Sequence, residues 1–377
     1  MIIQSTRVWT GKAFEKLQIE LEHGKINGVY PWGSRPCDFD YKDARILPGF
    51  IDVHAHGAYG FDTNDGDEEG LCYWVSHIPE EGVTSIMPTT VTQSKAVLSR
   101  ALENVASVIA TGYEGAEILG VHFEGPYLDV NYKGAQPQEA IVPASVEEFE
   151  EYQKCANGCI KYITVASEHD NDSFIQYCRK NGVVVSLGHS SADYEETMKA
   201  IEEGATSVTH VFNGMESFHH RNPGLLGATL TDDRLYGELI CDGHHTHLAA
   251  INLFFRCKGA DKGILITDSL SAKYGKAGEH YELGGHEIFI DEKGTARLSE
   301  SGTIAGSTLK MNEGLRIAVE EAGVPEQYAI NACTINPARM LGVDDRKGKL
   351  CVGYDADIVV LDEGYQVIQT YCRGIPV

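Results

Sequence analysis

Between Pro48 and about Leu341 short β-branched runs alternate with amphipathic stretches of helical period, and this alternation limits the fold more than any other feature. Eight runs read as strands: Phe50 to Val53, Thr84 to Met87, Ile118 to Phe123, Tyr162 to Ala166, Val183 to Leu187, Ser207 to Val211, Tyr236 to Cys241 and Ile264 to Thr267. Helices are expected between them, for example over Lys95 to Ala110, Val146 to Ala156, Tyr194 to Glu203 and Leu248 to Cys257. The expected class is α/β. Eight such units suggest a closed (β/α)8 barrel, although the pattern alone also admits an open doubly wound sheet.

A barrel of this kind carries its chemistry at the carboxyl ends of its strands, so the residue after each apolar run is the informative one. The first run ends in His54 and His56, which point to one face because strand side chains alternate. The third ends in Glu124, the fifth in Gly188-His189-Ser190, and the sixth contains His210. The eighth ends in Thr267-Asp268-Ser269. Any one of these has an ordinary reading, Asp268 as a helix cap for example, but ligand-type side chains gathered on one rim point to a metal.

Glu124, His189 and His210 make a carboxylate with two imidazoles, which leaves a fourth position for water, as catalytic zinc sites do. His54 and His56 are placed to hold a second ion with Glu124 bridging, and Asp268 is the natural proton handler. Zinc is the expected divalent metal, one or two ions per subunit, and iron, manganese or cobalt suit the same donors.

Composition narrows the partners. Lys and Arg number 31 against 55 Asp and Glu, and the net charge of -24 argues against nucleic acid or an anionic membrane as partner. No apolar run approaches the length of a membrane span, and the ten cysteines include no CxxC pair, so a cytoplasmic protein with reduced thiols is expected. An anionic substrate would need a local cluster of positive groups inside this acidic molecule.

The segments HAHGAYGFDT, HFEGP, KGAQ, GHS, THVFNGM, RNPGLLGA, DGHH and TDS, with Gly302 to Ser307, resemble the amidohydrolase superfamily, and within it the N-acetylglucosamine-6-phosphate deacetylases. The resemblance runs over nearly the whole length. It implies hydrolysis of the acetamide of N-acetyl-D-glucosamine 6-phosphate to D-glucosamine 6-phosphate and acetate, in amino-sugar catabolism. It also implies metal ligation by Glu124, His189 and His210, a second site at His54 and His56 in some members, and Asp268 as catalytic acid and base. Asn213 with the backbone of Gly214 matches the segment that holds the sugar and its phosphate, and Arg221 and His245 match phosphate contacts. Gln136 stands where some relatives carry histidine. A homodimer is implied, in which Arg221 serves its own or the neighbouring subunit.

The same resemblance implies a small β-sandwich domain from both termini, residues 1–47 and 345–377, flanking a barrel over 48–344. Leu17 to Leu21, Ile26 to Tyr30 and Asp357 to Leu361 have the alternation of its strands. A polar stretch from Leu270 to Ser301, with a hairpin about Lys293-Gly294, is expected beside Asp268 as a cover or an inert insertion, followed by helices over Leu309 to Glu321 and Tyr328 to Leu341. Hydantoinase-type relatives are disfavoured, since they usually need a lysine after the fourth strand, where this chain has Ala166-Ser167-Glu168-His169. A deacetylase of a non-phosphorylated sugar and a non-catalytic scaffold are the remaining alternatives.

Overall fold

The computed structural model describes residues 1–170, 173–275 and 279–377. Eight parallel strands form the barrel: β1 Phe50–Ala55, β2 Val83–Thr90, β3 Val121–Glu124, β4 Ile160–Val165, β5 Val184–Leu187, β6 Ser207–Val208, β7 Tyr236–Ile240 and β8 Gly263–Ile266. Each pairs in parallel with the next, from β1 with β2 through β7 with β8. Beyond β8 the ring is completed at its carboxyl rim, where Asp268 N–H donates to the His54 carbonyl over 2.8 Å and His56 N–H to that of Ser269 over 2.7 Å. Closure therefore ties the residues of interest directly to one another.

Helices cover the outside because their sequences fit both the period and the ends. Tyr194–Glu203 begins with a reciprocal cap, in which Asp193 accepts from Glu196 N–H and Glu196 from Asp193 N–H, and buries Thr197, Ala200 and Ile201. With helices outside, β1, β2 and β7 are buried on both faces almost throughout. The interior is not a purely aliphatic fill. Thr164, Ser186 and Thr209 share hydroxyl hydrogen bonds of 2.7 Å, and His122 Nε2 lies 2.8 Å from Thr164 Oγ1.

Three elements differ from the sequence reading, each for a local reason. The third run is split into Glu117–Ile118 and β3, because the backbone turns at Gly120 with φ +141°. The sixth stops at Val208, since His210 and Phe212 take φ of +29° and +80°. The last expected helix breaks into Glu326–Cys333 and Ile335–Leu341 at Thr334, where Pro337 can neither donate to nor clear the carbonyl of Cys333 four residues back.

Strands from both ends of the chain join one further sheet, in the order Ile375–Pro376, Val367–Cys372, Ile358–Leu361, Arg45–Pro48, Ile2–Trp9, Phe14–Glu22, Lys25–Pro31. Ile3, Val8, Ile19, Ile46, Ile358 and Val360 form its core. A third sheet, His280–Leu283, His286–Ile290 and Ala296–Leu298, lies in the stretch expected to follow Asp268, and the hairpin about Lys293-Gly294 is its second turn. Residues 276–278 of that stretch fall outside the described residues. Among the described residues no helix is long and apolar enough to cross a membrane.

Candidate active site

A cavity of about 370 Å³ opens at the carboxyl rim and is lined by His56, Glu124, Gln136, His189, His210, Asn213, Gly214, His245 and Asp268 among others. Val91, Ala135, Leu283 and Ile304 give it an apolar wall. His54 lies just beneath, fully buried.

The histidine tautomers follow from what each ring meets. Nδ1 of His56, His189 and His210 lies 3.2, 2.8 and 3.1 Å from the carbonyl oxygens of Thr89, Tyr132 and Asn213, and Nδ1 of His54 lies 3.0 Å from Glu238 Oε2. Those oxygens only accept, so each Nδ1 carries the hydrogen and each neutral ring turns an Nε2 lone pair inward. The lone pairs converge on carboxylates. Glu124 Oε1 stands 3.3 Å from Nε2 of His189, 3.3 Å from that of His210 and 3.5 Å from that of His54. The two rings' Nε2 atoms are themselves 3.1 Å apart.

Four donors about 2.0–2.1 Å from a tetrahedral ion stand about 3.3 Å from one another, so Glu124, His189 and His210 have the spacing of a metal triad. A second triangle adjoins it, with His54 and His56 Nε2 3.4 Å apart and Asp268 Oδ1 3.4 and 3.1 Å from them. Glu124 Oε1 is buried and takes no hydrogen bond, while acceptors crowd it with no donor between. Such a cluster is repulsive without a cation, and the donor set fits one.

Burial and neighbouring charge pull the titrations of these groups in opposite directions. Burial alone would lower His54 and His56, but the carboxylates beside them hold both above the ordinary imidazole value. Conversely, burial alone would raise Asp268, and the neighbouring imidazoles hold it down to about 2. Glu124 is held well below its ordinary range in the same way, against burial and by His54, His189 and His210. Burial and the nearby imidazoles keep His122 neutral, well below its usual value.

His189, His210 and Asp268 have φ of +46°, +29° and +49°, left-handed backbone that costs such residues energy and that gathers at functional sites. Gly214, φ +60°, runs beneath two of the rings; a Cβ there would stand 3.1 Å from His189 Nδ1 and 3.2 Å from His210 Cε1. Its neighbour Asn213 has a buried Nδ2 with no partner, on the cavity wall.

Gln136 has a definite orientation. Its Oε1 accepts from Thr92 N–H over 2.7 Å, which turns Nε2 to donate to Glu124 Oε2 at 2.7 Å. His245 Nδ1 is 2.6 Å from Asp242 Oδ2, and Asp242 Oδ1 accepts from the N–H groups of His244 and His245, bonds that hold its carboxyl below the ordinary value despite burial.

Arg221 is the expected site residue that the fold does not bring to the cavity. Its side chain is exposed, with Nη1 2.8 Å from His220 Nε2. Three residues close to the ligands were not singled out by sequence: His122, Tyr162 and Glu238. A signal existed for His122, which precedes Glu124 by two residues and so shares its face. Nothing marked Glu238 within Tyr236–Ile240 except a charge in an apolar run.

Comparison with known proteins agrees with this geometry. The Amidohydrolase family profile matches residues 45–377. The N-acetylglucosamine-6-phosphate deacetylase of Bacillus subtilis (strain 168) is 43% identical over 336 residues, 88% of this chain and 84% of that protein. The N-acetylgalactosamine-6-phosphate deacetylase of Escherichia coli O157:H7 is 36% identical over 376 residues, 99% and 98% of the two chains. Among solved structures, a mutant of the Mycobacterium smegmatis N-acetyl-D-glucosamine-6-phosphate deacetylase, in complex with N-acetyl-D-glucosamine-6-phosphate, superposes with a TM-score of 0.94 at 30% identity, over 100% of this chain and 98% of that one. The family is metal-dependent, and the buried histidine and carboxylate clusters here could hold an ion. On these matches and this rim the chain belongs to the amidohydrolase family of hydrolytic enzymes.

Proposed function

We propose that the protein hydrolyses the acetamide of N-acetyl-D-glucosamine 6-phosphate, releasing D-glucosamine 6-phosphate and acetate. The observation that carries the reading is the triad of Glu124 Oε1 with Nε2 of His189 and His210, all 3.1–3.3 Å apart, on a cavity that Asp268 also lines. A divalent cation held there, most naturally zinc, would polarise the acetamide carbonyl and lower the pKa of a water to about 7.

The chain's own groups supply the rest. An aspartate carboxyl is ionised at neutral pH, so Asp268, which lines the cavity, can take the proton of the attacking water and pass it to the departing nitrogen. Gln136 fixes the rotation of Glu124 by occupying Oε2. Asn213 Nδ2, buried and unpartnered, offers a donor to a sugar oxygen, and His245, oriented by Asp242, offers Nε2 to the phosphate end. The apolar wall of Val91, Ala135, Leu283 and Ile304 excludes water.

The reading includes a homodimer in a reducing compartment, the cytoplasm. In support, all ten cysteines are free, and Phe218, 55% exposed, stands with His219, His220 and Arg221 on a surface stretch that does not line the chain's own cavity. Acetate release decides the substrate. The 6-phosphate should be turned over with a kcat/KM about 10- to 100-fold above that of N-acetylglucosamine, the worth of one or two charge-assisted contacts. It should also exceed N-acetylgalactosamine 6-phosphate, included because one relative acts on it. Equal rates with and without phosphate would refute the proposal.

A further inference from the structure

Glu238 stands in β7 with its side chain wholly buried in the barrel interior, and it does not line the cavity. Its carboxylate meets three groups. His54 Nδ1 is 3.0 Å from Oε2, the Tyr162 hydroxyl donates to Oε1 over 2.6 Å, and the backbone N–H of His210 reaches Oε2 at 3.4 Å. Among the described residues its one ion-pair partner is the His54 ring, and no lysine or arginine neutralises it. A buried carboxylate without such a partner is costly unless a positive charge stands nearby.

The four inward imidazoles are not held alike. His56, His189 and His210 are backed by main-chain carbonyls, and His54 alone is backed by a carboxylate. A carboxylate in that place fixes the hydrogen on Nδ1, sets the rotation of the ring and makes the opposite nitrogen a stronger donor. For His54 the opposite nitrogen is Nε2, 3.4 Å from both His56 Nε2 and Asp268 Oδ1.

We propose that Glu238 is the positioning residue of a second cation site: by keeping the His54 hydrogen on Nδ1, it aims Nε2 at the space shared with His56 and Asp268 and so sets how tightly that space is filled. Tyr162, itself 2.8 Å from Ser207 Oγ, is the strut. With the phenol on Oε1, the carboxylate cannot swing away from the ring. The two rings of the Glu124, His189 and His210 triad are oriented by carbonyl partners of their own, and Glu238 touches that triad only at the backbone N–H of His210, over 3.4 Å. This inference rests on the metal-dependent reading above.

The test is a zinc titration of chelator-stripped protein, followed by calorimetry and elemental analysis, for wild type, Glu238→Leu, Glu238→Gln and Tyr162→Phe, with melting curves to establish folding. The wild type should take two ions. Glu238→Leu should keep the first affinity and bind the second ion about 10- to 100-fold more weakly. Glu238→Gln fills the same space without the charge and should weaken the second ion at least several-fold, and Tyr162→Phe should shift it in the same direction by less. A second affinity unchanged in every variant that folds, or a wild type that takes a single ion, would overturn the proposal. A wild type that binds no ion would overturn the hydrolase reading instead.

Discussion

At the scale of single residues, several side chains at the rim have surroundings that leave them one role. Asp268→Asn keeps the shape but cannot take a proton, so kcat should fall about 10²- to 10⁴-fold while the protein still folds cooperatively and the ion held by Glu124, His189 and His210 persists; kinetics beside elemental analysis checks it. Gly214→Ala should cost about 1–2 kcal/mol for the left-handed backbone. Its methyl would also press on His189 and His210, so zinc affinity and kcat/KM should fall together, read by titration and acetate release. Most of the polar rim was legible in sequence because strand ends are where such residues have a reason to sit: His54, Glu124, His189 and Asp268 each follow an apolar run, and His210 lies near the end of one. Glu238 and Tyr162 were not legible, since they lie within the runs, and only the closing of the barrel brings them behind His54. Gln136 could be named without its role, which depends on Thr92 N–H fixing its amide.

At the scale of elements, the segment after β8 must be held firmly enough to keep Asp268 in place. Lys273 and Glu81, both with fully buried side chains, form an ion pair of 2.6 Å, and Glu81 Oε2 also accepts from Met311 N–H. This joins the chain on either side of the small third sheet to the turn before β2. Removing one partner leaves a buried charge alone, so Lys273→Met should lower the unfolding free energy by about 3–5 kcal/mol in denaturant titrations, and adding Glu81→Gln should restore much of it. Helix and strand periods were readable along most of the chain because the amphipathic pattern is continuous there. The misreadings fall where local backbone overrides pattern, at Gly120, at His210 and at Thr334 before Pro337. In the last case the proline was the available signal.

At the scale of the whole molecule, the terminal sheet is fastened to the barrel by charge as well as by its core. Arg346 grips Glu117 with both nitrogens at 2.7 and 2.9 Å, and Asp355 accepts from Lys25 over 2.6 Å and from Arg346 over 2.7 Å. Lys347 completes the set with Asp355 and Asp357. Burial alone would raise the Asp355 carboxyl, but these cations hold it down to about 2, below its ordinary 3.8. A carboxyl depressed on folding adds stability that is complete above its unfolded value and is lost as pH falls through the folded one. Asp355→Asn should therefore melt below wild type at pH 7, with the gap narrowing as pH is lowered from about 4 toward 2. With a net charge of -24, an anionic substrate needs local positive groups at the rim, the part the proposed function gives to His245. The most direct trial of the central claim is acetate release from N-acetylglucosamine 6-phosphate by chelator-stripped protein as zinc is returned. Activity should be absent without the ion and rise with the first equivalent bound, whereas full turnover by metal-free protein would contradict the account.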